Sequence, residues 1–415
     1  MFCKLEMLVA GVAALAAVGG VHAHEHEHML ARRDIASETA STSYPLPSIV
    51  NSFTKTSPGF SQGPGENLAA GIGSALDWGR LTDWSNPWSI YRDGGGSCTL
   101  GNRTFWFFDD TEAYAADGSF AGFASNSLAV ANSFNHLGWL TDVTVNKSTG
   151  VFPAIPFTAS EYVVRNSQTS RYAIWTYTNC VEVSRTEAAH FWQVVKYTAA
   201  NEYSTIGVTQ AYYTLDEAAN RLSVERPKQL YLDNTVYEYG AFGNIVIDGY
   251  AYLYGLDTIY SSRYDVHVAR APLTSIKDQS TWQYYDASTG TWSSTITHPS
   301  ARRRSAAVIQ GTMPFSSGAF FFSQYHNQYC LVFFNNWIDS TFRILFADTP
   351  VGPWDTNNKV LYKSDKGPKG YNYGGLATPI YFQRDGHIAG QRLMLSYSYQ
   401  DSDGTYPRTH EVVFN

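Results

Sequence analysis

The sequence predicts an all-β protein built as a five-bladed β-propeller, and three observations predict it. Short apolar strands joined by tight turns recur along the chain, with almost no helical periodicity between them. The third strands of two units leave by similar exits, ARAPL and ADTPVGPW, as repeated modules do. The 415-residue chain is also rich in aromatics, with 29 Tyr, 23 Phe and 11 Trp, a composition that suits pleated, half-buried surfaces. A pair of β-sandwiches is the main architectural alternative, but it would not need the repeated exit.

In chain order, Lys4, the apolar run LVAGVAALAAVGG and the small residues around Val21-His22-Ala23 read as a secretory signal peptide over residues 1–23. Residues 24–33 form an expected pro-segment. It carries His24, His26 and His28 and ends at the dibasic Arg32-Arg33, a pattern of fungal secretion; the alternating histidines are read as part of a removed segment rather than as metal ligands. Residues 34–75 are rich in Ser, Thr, Pro and Gly and are expected as a loose lead-in, with NSFTKT as a candidate closing strand. The propeller is expected over residues 76–415. No later run reaches the roughly 18 apolar residues of a membrane span.

The clearest unit is AFGNIVIDGYAYLYGLD, in which Asp248-Gly249 is a favoured two-residue hairpin turn; YDVHVARAPL and TWQYYD complete its four strands. A second copy runs from GAFFFSQYHNQYCLVFFNNW through FRILFADTPVGPW. Weaker units start at RDGGGS, at RYAIWTYTNCVEV with EAAHFWQVVKY, and at NYGGLATPIYF with RLMLSYSYQ and THEVVFN. Together these make five.

A net charge of −7 without long like-charge runs argues against nucleic acid or an anionic membrane as partner. Beyond Cys3 in the leader, Cys98, Cys180 and Cys330 allow at most one intramolecular disulfide. Sequons at Asn102 and Asn146 are candidate glycosylation sites in surface loops. No metal-ligand spacing, phosphate loop or nucleophile elbow appears, so neither a metal nor a cofactor is expected.

The residues that carry chemistry lie in RDGGGSCTLGNRTFWFFDDTEAY. With Gly101-Asn102 as the turn, Leu100 faces Arg103, Cys98 faces Phe105, and Asp93 falls opposite Asp110. A bulge in the Gly94-Gly95-Gly96 run would slip the register by one and bring Asp109 in place of Asp110. Like charges directly opposite are destabilising. Two carboxylates sharing a site supply a general base and a general acid together, as glycosidic bond cleavage requires. The alternative is a structural one, Asp93 opening a strand and Asp109 or Asp110 capping a turn in solvent. Arg92 is a candidate clamp for a carboxylate or a sugar hydroxyl, although strand parity points it to the other face.

Glu238 in VYEYG lies close to opposite Asp257 across the third-unit hairpin and is the candidate third carboxylate; Asp257, Tyr239, Trp175 and Trp337 are candidate substrate contacts near strand ends. Glu187 and His190 read as a strand end in solvent.

The stretches YRDGGGSCTLGNRTFWFFDDT, NSLAVANS, FGNIVIDGYAYLYG, YDVHVARAPL and FADTPVGPW resemble the domain of unknown function 4185 family. Some of its bacterial members are endo-D-arabinanases of glycoside hydrolase family 183, related in shape to the five-bladed families 32, 43, 62 and 68. The resemblance covers roughly residues 75 to 412, and its specific part is the first hairpin. It implies catalytic roles for Asp93 in Arg92-Asp93-Gly94-Gly95 and for Asp110 in Phe108-Asp109-Asp110-Thr111. The chain departs from that family at Asp109, where a Gly is usual, and at YNYGGLATP, in place of a His-Pro-Glu-like stretch. The expectation is a secreted, monomeric glycoside hydrolase acting on an arabinan-like or other furanose-containing polysaccharide or oligosaccharide. A non-catalytic, lectin-like propeller of the cell surface or wall is the alternative, and a secreted interaction protein with a degenerate site a third reading.

Overall fold

The computed structural model describes residues 39–47, 69, 71–131, 138–147, 150–165, 171–199, 202–257, 264–296, 304–311, 317–335, 338–379 and 388–415. The leader, the pro-segment, NSFTKT and Trp337 lie outside these residues.

Five antiparallel sheets form the blades of a β-propeller. Blade one runs from Gly96–Leu100 through Arg103–Phe108 and Ser127–Ala131 to Leu140–Asp142. Blade two starts with Arg171–Trp175 and Val181–Glu182, both paired to Glu187–Ala199, and continues through Glu202–Asp216 and Arg221–Arg226. Blade three comprises Gly243–Ile247, Tyr250–Asp257, Asp265–Pro272, Gln283–Asp286 and a fifth short strand, Thr291–Ser293. Blade four holds Gly318–Ser323, Gln328–Phe334, Thr341–Ala347 and Lys359–Lys363. Blade five holds Asn372–Thr378, Arg392–Gln400 and Thr405–Phe414. The units read from the sequence are these five blades. The third-unit hairpin turns at Asp248 and Gly249, both left-handed with φ of 48° and 78°, as the right-handed twist of its strands demands.

The stretch before residue 76 holds more structure than a loose lead-in. Ala40–Pro45 is the outermost strand of blade two, and Ile72–Arg80 pairs with the C-terminal strand Thr405–Phe414 as the outermost strand of blade five. Ile72–Arg80, ahead of blade one, and Thr405–Phe414, at the C-terminal end, thus share one blade, which closes the ring and covers the edge that Thr405–Phe414 would otherwise expose.

The aromatic content fills the spaces between blades. Phe107, Trp192 and Tyr213 pack between blades one and two, and Phe191, Tyr239 and Trp282 between two and three. Tyr254, Phe320 and Trp354 lie between three and four, Phe334, Phe342 and Tyr397 between four and five, and Trp106, Phe108 and Met394 close the circle. Wedge-shaped gaps of this kind take large flat rings at low entropic cost. Near the axis, Ser97 of blade one donates to Asn179 at 2.8 Å and to Thr378 of blade five at 3.2 Å. Asn179 donates to the Ala377 carbonyl at 2.9 Å and accepts at its own carbonyl from Asn244 of blade three at 2.7 Å.

A disulfide joins Cys98 to Cys180 across blades one and two, and Cys330 is a buried free thiol. The short helix Ala159–Arg165 opens with a capping box: the Thr158 N–H donates to Glu161 at 2.8 Å. Glu161 is then held by both terminal nitrogens of Arg226, at 2.6 and 2.9 Å, in a fully buried ion pair.

Candidate functional site

The first hairpin keeps one register along its length, with a defect in the middle. Gly96 pairs with Phe107 on one side and Arg92 with Thr111 on the other. Between them the Asp93 N–H donates to the Asp110 carbonyl at 3.2 Å, while the Asp93 carbonyl accepts from the Asp109 N–H at 2.9 Å. Asp93 therefore faces Asp110 and Asp109 together. The glycines make the defect possible. Gly94 and Gly95 adopt φ of +51° and +105°, and a Cβ on either would lie 2.0 Å from the Asp109 carboxylate or the Phe107 carbonyl respectively.

Released from its partner strand, Gly95 donates its N–H to the Thr176 carbonyl of blade two at 3.1 Å. The two consecutive acids grip the same segment: the Thr176 N–H donates to Asp109 Oδ1 at 2.7 Å, and the Trp175 indole N–H to Asp110 Oδ1 at 2.9 Å. From blade five, the Tyr373 hydroxyl donates to Asp93 Oδ2, and Ser398 Oγ accepts from the Gly94 N–H at 2.8 Å. Three blades thus meet at the three carboxyls.

Electrostatics separates their protonation states. Asp110 is raised to about 6 by burial, against the opposing pull of the Trp175 N–H and the Arg171 charge, both of which favour its carboxylate. Asp93 is raised further, to about 7, by burial and then by the Asp110 charge, in spite of the Tyr373 hydroxyl. Asp110 ionises first, and its charge holds the proton on Asp93. Asp109 is pushed well above the carboxylate range by burial and by the Asp93 charge. Its Oδ2, buried against Gly94, has no hydrogen-bond partner among the described residues, which favours the neutral acid.

Glu238 is raised to about 7 by burial, with Gln193 donating to its Oε2 at 2.5 Å. It connects to the blade-one acids through blade two, because Gln193 and Trp175 are direct cross-strand partners and share one face. Trp175 also packs edge-on against Tyr197 and Tyr203, with ring centroids 6.1 and 5.7 Å away. Tyr203 is 41% exposed, which leaves an aromatic surface open beside Asp110.

Other expected contacts lie elsewhere. Arg92 is fully buried, paired with Asp142 at 2.7 Å and placed over the Phe108 ring, on the face that strand parity assigns it and away from the carboxyl pair. Tyr239 is buried in the wedge between blades two and three, against Tyr237 and Tyr284, and presents no face to a ligand. Asp257 is buried opposite Asp265, where its charge acts on Tyr237. His190 does not end a strand in solvent: it is fully buried, bonded to the Tyr213 hydroxyl and the Thr178 carbonyl, and its pKa is lowered to about 3 by burial. Glu187 does stand exposed, at the start of the same strand. Asn102 and Asn146 are exposed, Asn102 at the hairpin turn away from the acids. Among the described residues no group of three potential metal ligands occurs.

Sequence reasoning missed Tyr373, Tyr177 and the buried role of Asp109. Tyr177 lies close enough for all three aspartates to raise its pKa. The available signal was positional: Tyr373 enters the inner strand of blade five, and Tyr177 leaves that of blade two, beside the point where the acids leave blade one.

Comparison with solved structures agrees with the propeller. The chain is similar to a candidate hydrolase from Bacteroides ovatus, with 19% identity, 82% of this chain and 90% of that one covered, and a TM-score of 0.53. Lower similarity extends to the catalytic domain of a family 62 α-L-arabinofuranosidase from Coprinopsis cinerea (8% identity, 78% and 91% covered, TM-score 0.41). It extends also to a family 117 glycoside hydrolase from Zobellia galactanivorans (9% identity, 80% and 89% covered, TM-score 0.44). No curated protein matches the chain. The family model that matches is not that of the 4185 family resembled by the first hairpin; it spans residues 81–412, and the chain belongs to the family described as Domain of unknown function (DUF5005).

Proposed function

We propose that the protein is a secreted glycoside hydrolase acting through Asp93 and Asp110. The observation that carries this reading is the carboxyl pair itself, with one member poised to ionise and the other held protonated by that charge. Between pH 6 and 7 Asp110 is the carboxylate, directed by the Trp175 N–H, and Asp93 is the acid. In this reading Asp93 gives its proton to the departing glycosidic oxygen. Asp110 then either attacks the anomeric carbon or takes a proton from the attacking water. Glu238, on the segment leading into blade three and held by Gln193 of blade two, supplies a further neutral carboxyl. Trp175 and Tyr203 offer flat surfaces for sugar rings.

The substrate class we propose is a polysaccharide or oligosaccharide, which the aromatic rings of Trp175 and Tyr203 beside the acids suit, with an arabinan-like or other furanose-containing glycan as the finer proposal. The disulfide and the exposed sequon asparagines support secretion into an oxidising compartment.

Reducing-end release from arabinans, fructans and fungal wall glycans tests the reading, with Asp93→Asn and Asp110→Asn as isosteric, uncharged controls. Cleavage by the parent that is lost in both variants supports it. Glycan binding that is equal in all three proteins, without cleavage, replaces it with the lectin-like alternative.

A further inference from the structure

Arg171 begins the inner strand of blade two, four residues before Trp175 and therefore on the same face. Its guanidinium stands 4.0 Å from the Tyr197 ring centroid and 5.4 Å from that of Phe123. Among the described residues no carboxylate pairs with it and no acceptor takes its N–H groups. It lines a cavity of 370 Å³ with Phe123, Ser125, Phe157 and Tyr172. The same strand face carries Trp175, whose indole N–H donates to Asp110 at 2.9 Å, and the Arg171 charge favours the Asp110 carboxylate.

A half-buried arginine held between two rings keeps a planar fork of donors in one orientation, and a carboxylate matches that fork with two parallel hydrogen bonds. The cavity falls within the roughly 300–1,000 Å³ of small-ligand sites, and its walls are mainly aromatic, which suits the faces of a sugar ring. We propose that this cavity is a subsite for a uronic acid unit of the glycan, with its carboxylate on Arg171. The proposal rests on the hydrolase reading only for the statement that the unit adjoins a bond to be cleaved; the binding itself does not require cleavage.

The test uses calorimetry on the Asp93→Asn protein, in which turnover is blocked while Arg171 and its cavity are untouched. The probes are a glucuronic-acid-bearing xylo-oligosaccharide and an oligogalacturonide, each compared with its carboxyl-reduced form. At least one acidic probe is expected to bind about tenfold more tightly than its reduced form. Arg171→Met should abolish that preference and Arg171→Lys should keep part of it, with melting curves confirming that both variants fold. Equal affinity for every acidic and reduced pair, or a preference that survives Arg171→Met, overturns the subsite. Reducing-end release by the parent protein separates the two readings. An acid preference without any cleavage keeps the subsite and rejects the hydrolase, and cleavage without acid preference does the reverse.

Discussion

Trp175 and Gln193 face each other across two strands of blade two, and each donates a hydrogen bond to a carboxyl from a different neighbouring blade. Trp175 reaches back to Asp110 of blade one and Gln193 forward to Glu238, which leads into blade three. One cross-strand pair therefore sets two acids on one rim, and the sheet register fixes their relation.

Trp175→Phe keeps the ring and removes the donor. A hydrogen bond to a charged group is worth about 1.5–3 kcal/mol, so the Asp110 pKa should rise by roughly one unit or more. The acidic limb of the pH–rate profile should move upward, with activity at pH 6 falling about fivefold or more. An unmoved limb would show that the indole N–H does not govern Asp110.

Tyr373→Phe removes the hydroxyl that favours the ionised form of Asp93. The basic limb, which reports loss of the Asp93 proton, should shift to higher pH. A downward shift would mean that Tyr373 stabilises the neutral acid instead.

Asp93 also links stability to pH. Its folded pKa is raised to about 7 from an unfolded value near 3.9. Its contribution is thus fully present below the unfolded value and is lost as pH rises through 7. Asp93→Asn cannot ionise, so its stability relative to the parent should increase between pH 4 and pH 8 in urea denaturation. The buried His190, lowered to about 3, acts in the opposite direction in both proteins and cancels in the difference. A constant difference across this range would contradict the assignment.

Two structural predictions concern blade two. Cys98→Ser with Cys180→Ser opens a link between residues 82 apart and should cost about 2–5 kcal/mol by chemical denaturation. Arg226→Met leaves Glu161 buried without its bidentate partner and should cost about 3–5 kcal/mol. A loss below about 1 kcal/mol in either case would show that the blade-two core does not depend on that link.

Much of this was legible in the chain because hairpin pairing is arithmetic. Once Gly101-Asn102 is the turn, Asp93 falls opposite Asp110, and the pairs on both sides keep that register. Strand parity likewise puts Arg92 on the far face, where it meets Asp142. The burial of Asp109 was not legible, because it follows from a ladder that breaks at Gly94 and Gly95 and lets one aspartate face two. Tyr373 was hidden for a different reason: 280 positions separate it from Asp93, and only ring closure brings blade five against blade one. Tyr239 and His190 misled because a polar group at an aromatic-rich turn or strand reads as a rim residue, whereas here both are buried within the blade packing.

The central claim is that Asp93 and Asp110 share one proton, and carboxyl carbon NMR across pH on the parent and on Asp110→Asn tests it most directly. The parent should show one aspartate titrating near pH 6 and a second near pH 7, and the Asp93 value should fall when Asp110 carries no charge. An Asp93 titration that stays in place in Asp110→Asn, or two ordinary values near 3.9 in the parent, would contradict the account.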